Sequence, residues 1–597
     1  MKNKKLIKYT SRDFDSIKSD LVNHAKRYYP NSYNDFREGS FGSMMFDSVA
    51  YVGDILSFYL DYQVNESFLE TSIEYDNIRR HAKRNGYNFY GRPSAYGIAT
   101  FYVLIPAASS GLGPDSNYLL RVKTGTKINS STGTTFMLTE DVDFGDPKNE
   151  VVVARVDEIT GRPTYYAVRA TGQVKSGTLF RTNLTIGSFQ RFRRERIGPS
   201  SINEIISVYD AEGHRYYQVD YLSQNTVFIE VTNKDAASDG VRSLMKPFIV
   251  PRRFIIEQDS TGTYMVFGHG SDDEADIQIN VADPSSVALK MTGKNYITDT
   301  AFDPTKLLDT NKLGVAPQNT TLTIVYGANN GDDVNVPSNS LNSVKELIYE
   351  YPDSSLVNPV QASFVLSTLE VTNDQRIIGN TPTPSPDEIR VRSYGAYAAQ
   401  NRAVTREDYE SYIYLMPPKF GSIKRAGVIN DPSSSNRKLS LYLISEDNNG
   451  NLQLSNDTLK QNVKTWLNRN KMLNDSIDIY DPYIINVGFT FYVSVESTYD
   501  KQVILNDCFN TLNNMFSDKM YIGEPLYVAN IYKELNKLEG IIDVQNVIFN
   551  IKNAANYASS PISLQELMSS DGTFLKAPKN AIIEIKFPNL DIKGIAR

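Results

Sequence analysis

Apolar positions recur at helical spacing over the first hundred residues and switch to strand-like alternation from Ala99 onward. Phe14, Ile17, Leu21 and Ala25 define a first helix, with Thr10 or Ser11 as its cap, Asp13 in its opening turn and Pro30 closing it. The next helix, within residues 39–68, carries Phe41, Met45, Val49, Val52, Leu56 and Tyr59 along one side and Met44, Tyr51, Phe58 and Tyr62 on others. A helix apolar around most of its circumference is normally enclosed by other chains or elements. Its persistent charge is a stripe of Asp47, Asp54 and Asp61, spaced by seven. The segment after it supplies the opposite sign through Arg79, Arg80, Lys83 and Arg84 before Gly86 ends the helix. Two antiparallel helices joined near Glu66 to Ser72 would set these bases beside the acidic stripe, within one chain or between copies.

From Ala99 to Pro337 short alternating runs such as EVVVARVDE, TYYAVRATGQV and GTLFRTNLTI, punctuated by Gly, Asn and Asp, predict antiparallel sheets in one or two domains. KMTGKNYITD is read as a further strand of that region. After Pro386 the period returns to three or four. Ile389, Ser393, Ala396 and Tyr397 share a helical face, and Thr405 caps the next helix with Asp408 at the third following position. Strands and helices then alternate to the end, as expected of two small split-βαβ-like modules. The fold class expected is multidomain α+β: a helical segment over 1–98, a β-rich middle over 99–337, a core with a first α+β module over 338–480, and a second module with tail over 481–597.

Length and composition support several cores: 597 residues, 41% hydrophobic and 22% charged. The 38 Tyr and 27 Phe suit either protein interfaces or strand positions. A net charge of -7 argues against nucleic acid as the main ligand, which needs a concentrated basic surface. The densest basic run is Arg191, Arg193, Arg194 and Arg196, read as a solvated hairpin edge, a patch for an acidic protein or a nucleic-acid contact. The single cysteine, Cys508, lies among periodic apolar positions and reads as a small core residue of a chain made in a reducing compartment. No apolar run reaches the roughly 20 residues that span a bilayer, and the amino terminus lacks a secretory apolar core, so direct membrane insertion is not expected.

Catalytic constellations are scarce. His24, His81, His214 and His269 are far apart and fit no metal-ligand spacing. Asp272 with Asp273, and Asp332 with Asp333, read either as polar turns or as oxygen ligands for calcium outside the EF-hand pattern. The glycine clusters lack the lysine of a phosphate loop. No catalytic, cofactor or metal site is assigned.

Residues 35–97, an acid-and-glycine opening that leads into a long helix and then a helix ending in glycine and an aromatic, resemble the amino-terminal signature of phage baseplate wedge proteins. NVPSNSLNSV, TPTPSPDEIRVRSYGAYAAQNRAVTREDYES and GSIKRAGVIN resemble the baseplate J-like family, in that order along the chain. The resemblance implies a structural, non-enzymatic wedge subunit of a contractile-tail baseplate, present in the virion and assembled in the host cytoplasm. It implies as partners other copies of the chain, neighbouring wedge proteins and the hub. Phe41, Met45, Val49, Val52, Leu56 and Tyr59 would form the helix-bundle interface, and Arg390, Thr405, Asp408 and Tyr409 the J-like junction. The alternatives are a tail-associated glycan-binding or glycan-degrading protein, and the equivalent subunit of a non-phage contractile injection system.

Overall fold

A computed structural model describes residues 7, 13–31, 35–37, 39–88, 91–110, 112–232, 243–259, 261–271, 313–329, 331, 333–430, 438–447, 450–516, 520–554, 556–560 and 562–597. The fold is multidomain α+β, with amino-terminal helices, a β-rich middle and a mixed carboxy-terminal part. The chain forms two compact units. One combines Met1–Asn88 with Pro384–Asn401; the other combines Phe89–Thr383 with Arg402–Arg597.

The first unit holds α1 (Phe14–Tyr28), α2 (Phe41–Glu66), α3 (Tyr75–Arg84) and a returning helix, Pro386–Ala399. Asp13, not Thr10 or Ser11, caps α1: it accepts from the Ser16 amide, and the Ser16 hydroxyl closes the box. A short acceptor beside the free N–H groups is better placed than residues further out, and Thr10 and Ser11 themselves lie outside the described residues. Gly86, at φ +92°, follows the end of α3. The returning helix starts on a Ser385–Glu388 capping box with Pro386 at its first position. It buries Ile389, Ser393 and Ala396, whereas Tyr397, expected on the same face, is 63% exposed.

The second unit contains two seven-stranded sheets. In the first the strand order is Leu341–Glu346, Lys127–Ser130, Thr135–Leu138, Pro163–Ser176, Tyr96–Pro106 and Glu370–Thr372, with Glu150–Val156 also paired to Pro163–Ser176. Alternation sends Phe101, Val103 and Ile105 inward against Ile128, Phe136 and Val168. The second sheet runs Thr178–Ile186, Thr320–Ala328, Ile202–Tyr209, Arg215–Gln218, Arg253–Asp259, Gly262–Phe267 and Arg194–Gly198, around Phe254, Met265, Phe267 and Ile324. Thr226–Thr232 and Ser243–Ile249 make a separate two-stranded ribbon. The strand expected in KMTGKNYITD and the acids Asp272, Asp273 and Asp332 lie outside the described residues.

Two α+β sheets complete the chain. In one, Lys438–Glu446 pairs antiparallel with Arg425–Asn430 and, after the helix Asp457–Leu467, parallel with Ser476–Tyr480. In the other, Tyr483–Val495 pairs antiparallel with Ile541–Ile551 and parallel with Ile592–Ala596. The buried carboxylate of Glu584 links these two sheets, accepting from the Leu452 amide at 3.0 Å and from Asn486 Nδ2 at 2.8 Å.

Candidate protein-docking surface

The most unusual chemistry of the first unit lies on α2, whose small and polar side faces its neighbour. Gly53 lets α1 come close: a Cβ there would stand 3.2 Å from Ile17 Cδ1. Ala50 and Ser43 are buried on that side, and Lys18 of α1 reaches Asp47 at 2.6 Å. The apolar side points away. Phe41, Met44, Met45, Val49, Tyr51, Val52, Leu56, Phe58, Tyr59 and Leu60 are all exposed, from 48% at Met45 to 74% at Phe41. Within this chain the helix is therefore half covered at most, although its composition suggests an enclosed one. Exposed apolar patches of this extent on a soluble chain mark interaction sites. Burying the outward halves of ten such side chains contributes on the order of 10 kcal/mol before the cost of association.

The ends of α2 are tied down. Ser40 caps it at the start. At its end the Glu66 carboxylate accepts from the amides of Ile73 (2.7 Å) and Glu74 (3.2 Å) and from Asn77 Nδ2 (2.9 Å), so one side chain organises the turn into α3. His81 Nε2 lies 2.9 Å from the Glu66 carbonyl. Arg390 of the returning helix donates to the carbonyls of Leu69 (3.0 Å) and Ser72 (2.6 Å) and pairs with Asp387 at 2.7 Å. Tyr394 donates to Glu70, and Asn85 Nδ2 donates to Ser393 Oγ at 3.1 Å. Val391, Tyr394 and Tyr397 of the returning helix remain exposed, as do Phe68 and Ile73 of the turn.

The structure places the remaining sequence-derived residues as follows. Asp54 is half-buried and Asp61 is buried on α2; of the four bases on α3, Arg80 lies 3.4 Å from Asn77 Oδ1, and Arg79, Lys83 and Arg84 occupy the helix's last two turns. Arg390 belongs to the first unit, whereas Thr405, Asp408 and Tyr409 belong to the second. Thr405 and Asp408 form a capping box, the Asp408 amide donating to Thr405 Oγ1 at 3.2 Å and the Thr405 amide to Asp408 Oδ2 at 2.8 Å. Tyr409 is buried and donates to Asp475 at 2.6 Å; burial and that carboxylate push its phenol up. The basic run is held by its own sheet: Arg193 pairs with Glu195 at 2.7 Å, and Arg194 pairs with Asp259 at 2.7 Å while its guanidinium stacks 3.5 Å over Tyr264. Sequence reasoning missed Glu66 and the hook of Arg390. An acid ending an otherwise apolar helix was the available signal for the first; the second depends on contacts more than 300 residues apart in sequence and had none.

No group of three or more His, Cys, Asp or Glu among the described residues could hold a metal ion. Nor is any helix among them long and apolar enough to cross a membrane.

An outward apolar helix on a tightly capped base gives the first unit the character of a docking surface, and comparison with known proteins finds a likeness for it. Residues 13–84, which comprise α1, α2 and α3, match the family model described as bacteriophage baseplate protein, N-terminal domain. The similarity covers the three amino-terminal helices and leaves the rest of the chain unmatched. No curated protein matches the chain. Among solved structures, a chain of the anti-feeding prophage baseplate, determined by cryo-EM and 6-fold symmetrised, aligns over 96% of this chain and 98% of its own, with 10% identity and a TM-score of 0.25. That overlap is too loose to define a shared fold.

Proposed function

We propose that the protein is a structural wedge subunit of a contractile-tail baseplate, located in the virion tail and built into a ring around the hub. The observation that carries this reading is the outward apolar side of α2, set among helices similar to a baseplate amino-terminal domain. A face of ten exposed large apolar residues is stable in water only as a transient condition, so neighbouring baseplate subunits, including further copies of this chain, cover it in the particle. Asp54 of the acidic stripe, with the bases Arg79, Arg80, Lys83 and Arg84, then sets register and partner choice more than affinity, whereas Asp47 is paired to Lys18 within the chain and Asp61 is buried.

In this account the helical face is the persistent joint, and a contact of the carboxy-terminal α+β part rearranges when the sheath contracts. Packed interfaces exchange between discrete arrangements rather than stretch, which lets one joint hold while another switches. Solvent protection of the two regions, compared in particles before and after contraction, tests the division: change confined to the carboxy-terminal part is expected, and equal change at both ends contradicts it. The role itself is tested by mixing the chain with its neighbouring tail proteins. Wild type is expected to form wedges visible by electron microscopy and Leu56→Asp to remain separate, because its carboxylate would be buried unpaired; normal wedges from Leu56→Asp contradict the reading.

A further inference from the structure

A second, independent surface lies in the β-rich unit. Among the described strands, Glu150–Val156 pairs only with Pro163–Ser176, and all seven of its residues are exposed. Its neighbour buries Tyr166 and sends Val168 and Ala170 into the core of the first sheet. Val151 and Val153, which lie directly across from Val168 and Tyr166, are nonetheless 44% and 45% exposed, so the core stops one strand short. Val152, across from Ala167, is 55% exposed on the opposite face. The strand thus overhangs with valines bare on both faces and one edge of backbone groups unpaired to any described strand. Soluble proteins usually guard such an edge with lysine, proline or shortness. Here the only charges in the strand are Glu150 and Arg155, one near each end and opposite in sign.

Faces decide what this edge can pair with. Cross-strand partners show that Glu150 and Val152, opposite Arg169 and Ala167, point away from the core. Between Val153 and Arg155 the register slips by one residue, so Arg155 faces Tyr165 and shares the outer face with Glu150 and Val152. An antiparallel pair of identical strands has a two-fold axis normal to the sheet, which keeps outer face with outer face. With Val152 on that axis, Val152 meets Val152 of the second copy, Val151 meets Val153, and Glu150 meets Arg155, with Ala154 as the extra residue of the bulge. Without the slip, Arg155 would point to the wrong face and the charges would not meet.

We propose that Glu150–Val156 joins the same strand of a second copy of this chain, antiparallel about Val152, and so continues the first sheet from one copy into the next. The two Glu150–Arg155 contacts fix the register, and the valines of both faces gain cross-strand neighbours. Glu150 lies 3.3 Å from Arg169 and stays largely exposed, and Arg155 stacks 5.9 Å over Tyr165, so both charged ends are held in place without being covered.

The test uses full-length protein carrying Leu56→Asp, so that the apolar face of α2 does not bring copies together. Only Cys508 is present in the native chain and it is buried, so a single engineered thiol reports on the strand. Val152→Cys, treated with a short bismaleimide, is expected to give a covalent dimer, with at least fivefold less from Val156→Cys. Adding Glu150→Arg should raise the half-maximal dimerisation concentration roughly tenfold, since like charges then face each other. The exchange Glu150→Arg with Arg155→Glu should restore it. Absence of a Val152→Cys dimer, equal yields at both cysteine positions, or failure of the double exchange to rescue overturns the proposal. Capture of a different tail protein in place of a second copy overturns it as well. None of these outcomes bears on α2, whose role is read from wedge formation.

Discussion

The Glu66 carboxylate holds two backbone amides and Asn77 where α2 turns into α3. Glu66→Ala leaves those donors without their acceptor and is expected to destabilise the unit by about 2 kcal/mol, read as a lower urea midpoint. Asp259 gives a pH-dependent counterpart in the second unit. Burial alone would raise its carboxyl, but the Thr261 hydroxyl, Arg194 and the Thr261 amide outweigh this and bring it down to about 2. A folded value below the unfolded one, roughly 3.9, means that the contribution is complete above about pH 4 and is lost as the pH falls toward 2. The urea midpoint of Asp259→Asn should therefore lie below wild type at neutral pH and change less between pH 4 and 2. Cys508 is fully buried, and burial pushes its thiol up to about 11, so native protein at pH 7 should resist a thiol reagent that labels it promptly in denaturant. Its place in the core was legible because its neighbours keep helical spacing. Asp259's partners were not, since two of its bonds come from a strand edge 65 residues away and from a turn.

Helices were the most legible elements. α2 and α3 and the Thr405–Asp408 cap stand out because apolar spacing, capping residues and Gly86 are all local signals. What local signals could not convey is which side of α2 faces its own chain. An almost all-round apolar helix leaves that to the residues small enough for close approach, Gly53 and Ala50, and the structure turns this side toward α1. Leu56 is therefore 58% exposed, and Leu56→Asp should leave the melting temperature of the isolated chain almost unchanged while it abolishes assembly. The returning helix was legible as a helix but not as part of the first unit, because Arg390 reaches carbonyls that lie some 320 residues earlier. Arg390→Ala should cost about 2 kcal/mol in the stability of that unit and raise hydrogen exchange over residues 67–74.

For the whole molecule, composition pointed to several cores and charge away from nucleic acid, and left interface and strand roles for the aromatic residues open; the likeness of residues 13–84 to a baseplate amino-terminal domain is what favours the first. The resemblance of the amino-terminal segment was legible because it is short and local. The β-rich unit was legible only as alternation: its sheets draw strands from residues 96 to 372, and long-range pairing of that kind leaves no local mark. Replacing Asp54, the half-buried acid of the stripe, with Asn should leave the fold intact and weaken the salt dependence of partner binding, measured as assembly yield between low and high ionic strength. A glycan-processing role would instead require turnover of host polysaccharide by the purified chain, and none is expected. The most direct measurement is hydroxyl-radical footprinting of Met44, Met45, Tyr51, Phe58 and Tyr59, first in the isolated chain and then in intact particles. High reactivity in the chain and strong protection in the particle are expected if companion subunits cover α2; protection already in a monomer, or equal reactivity in both, would contradict the account.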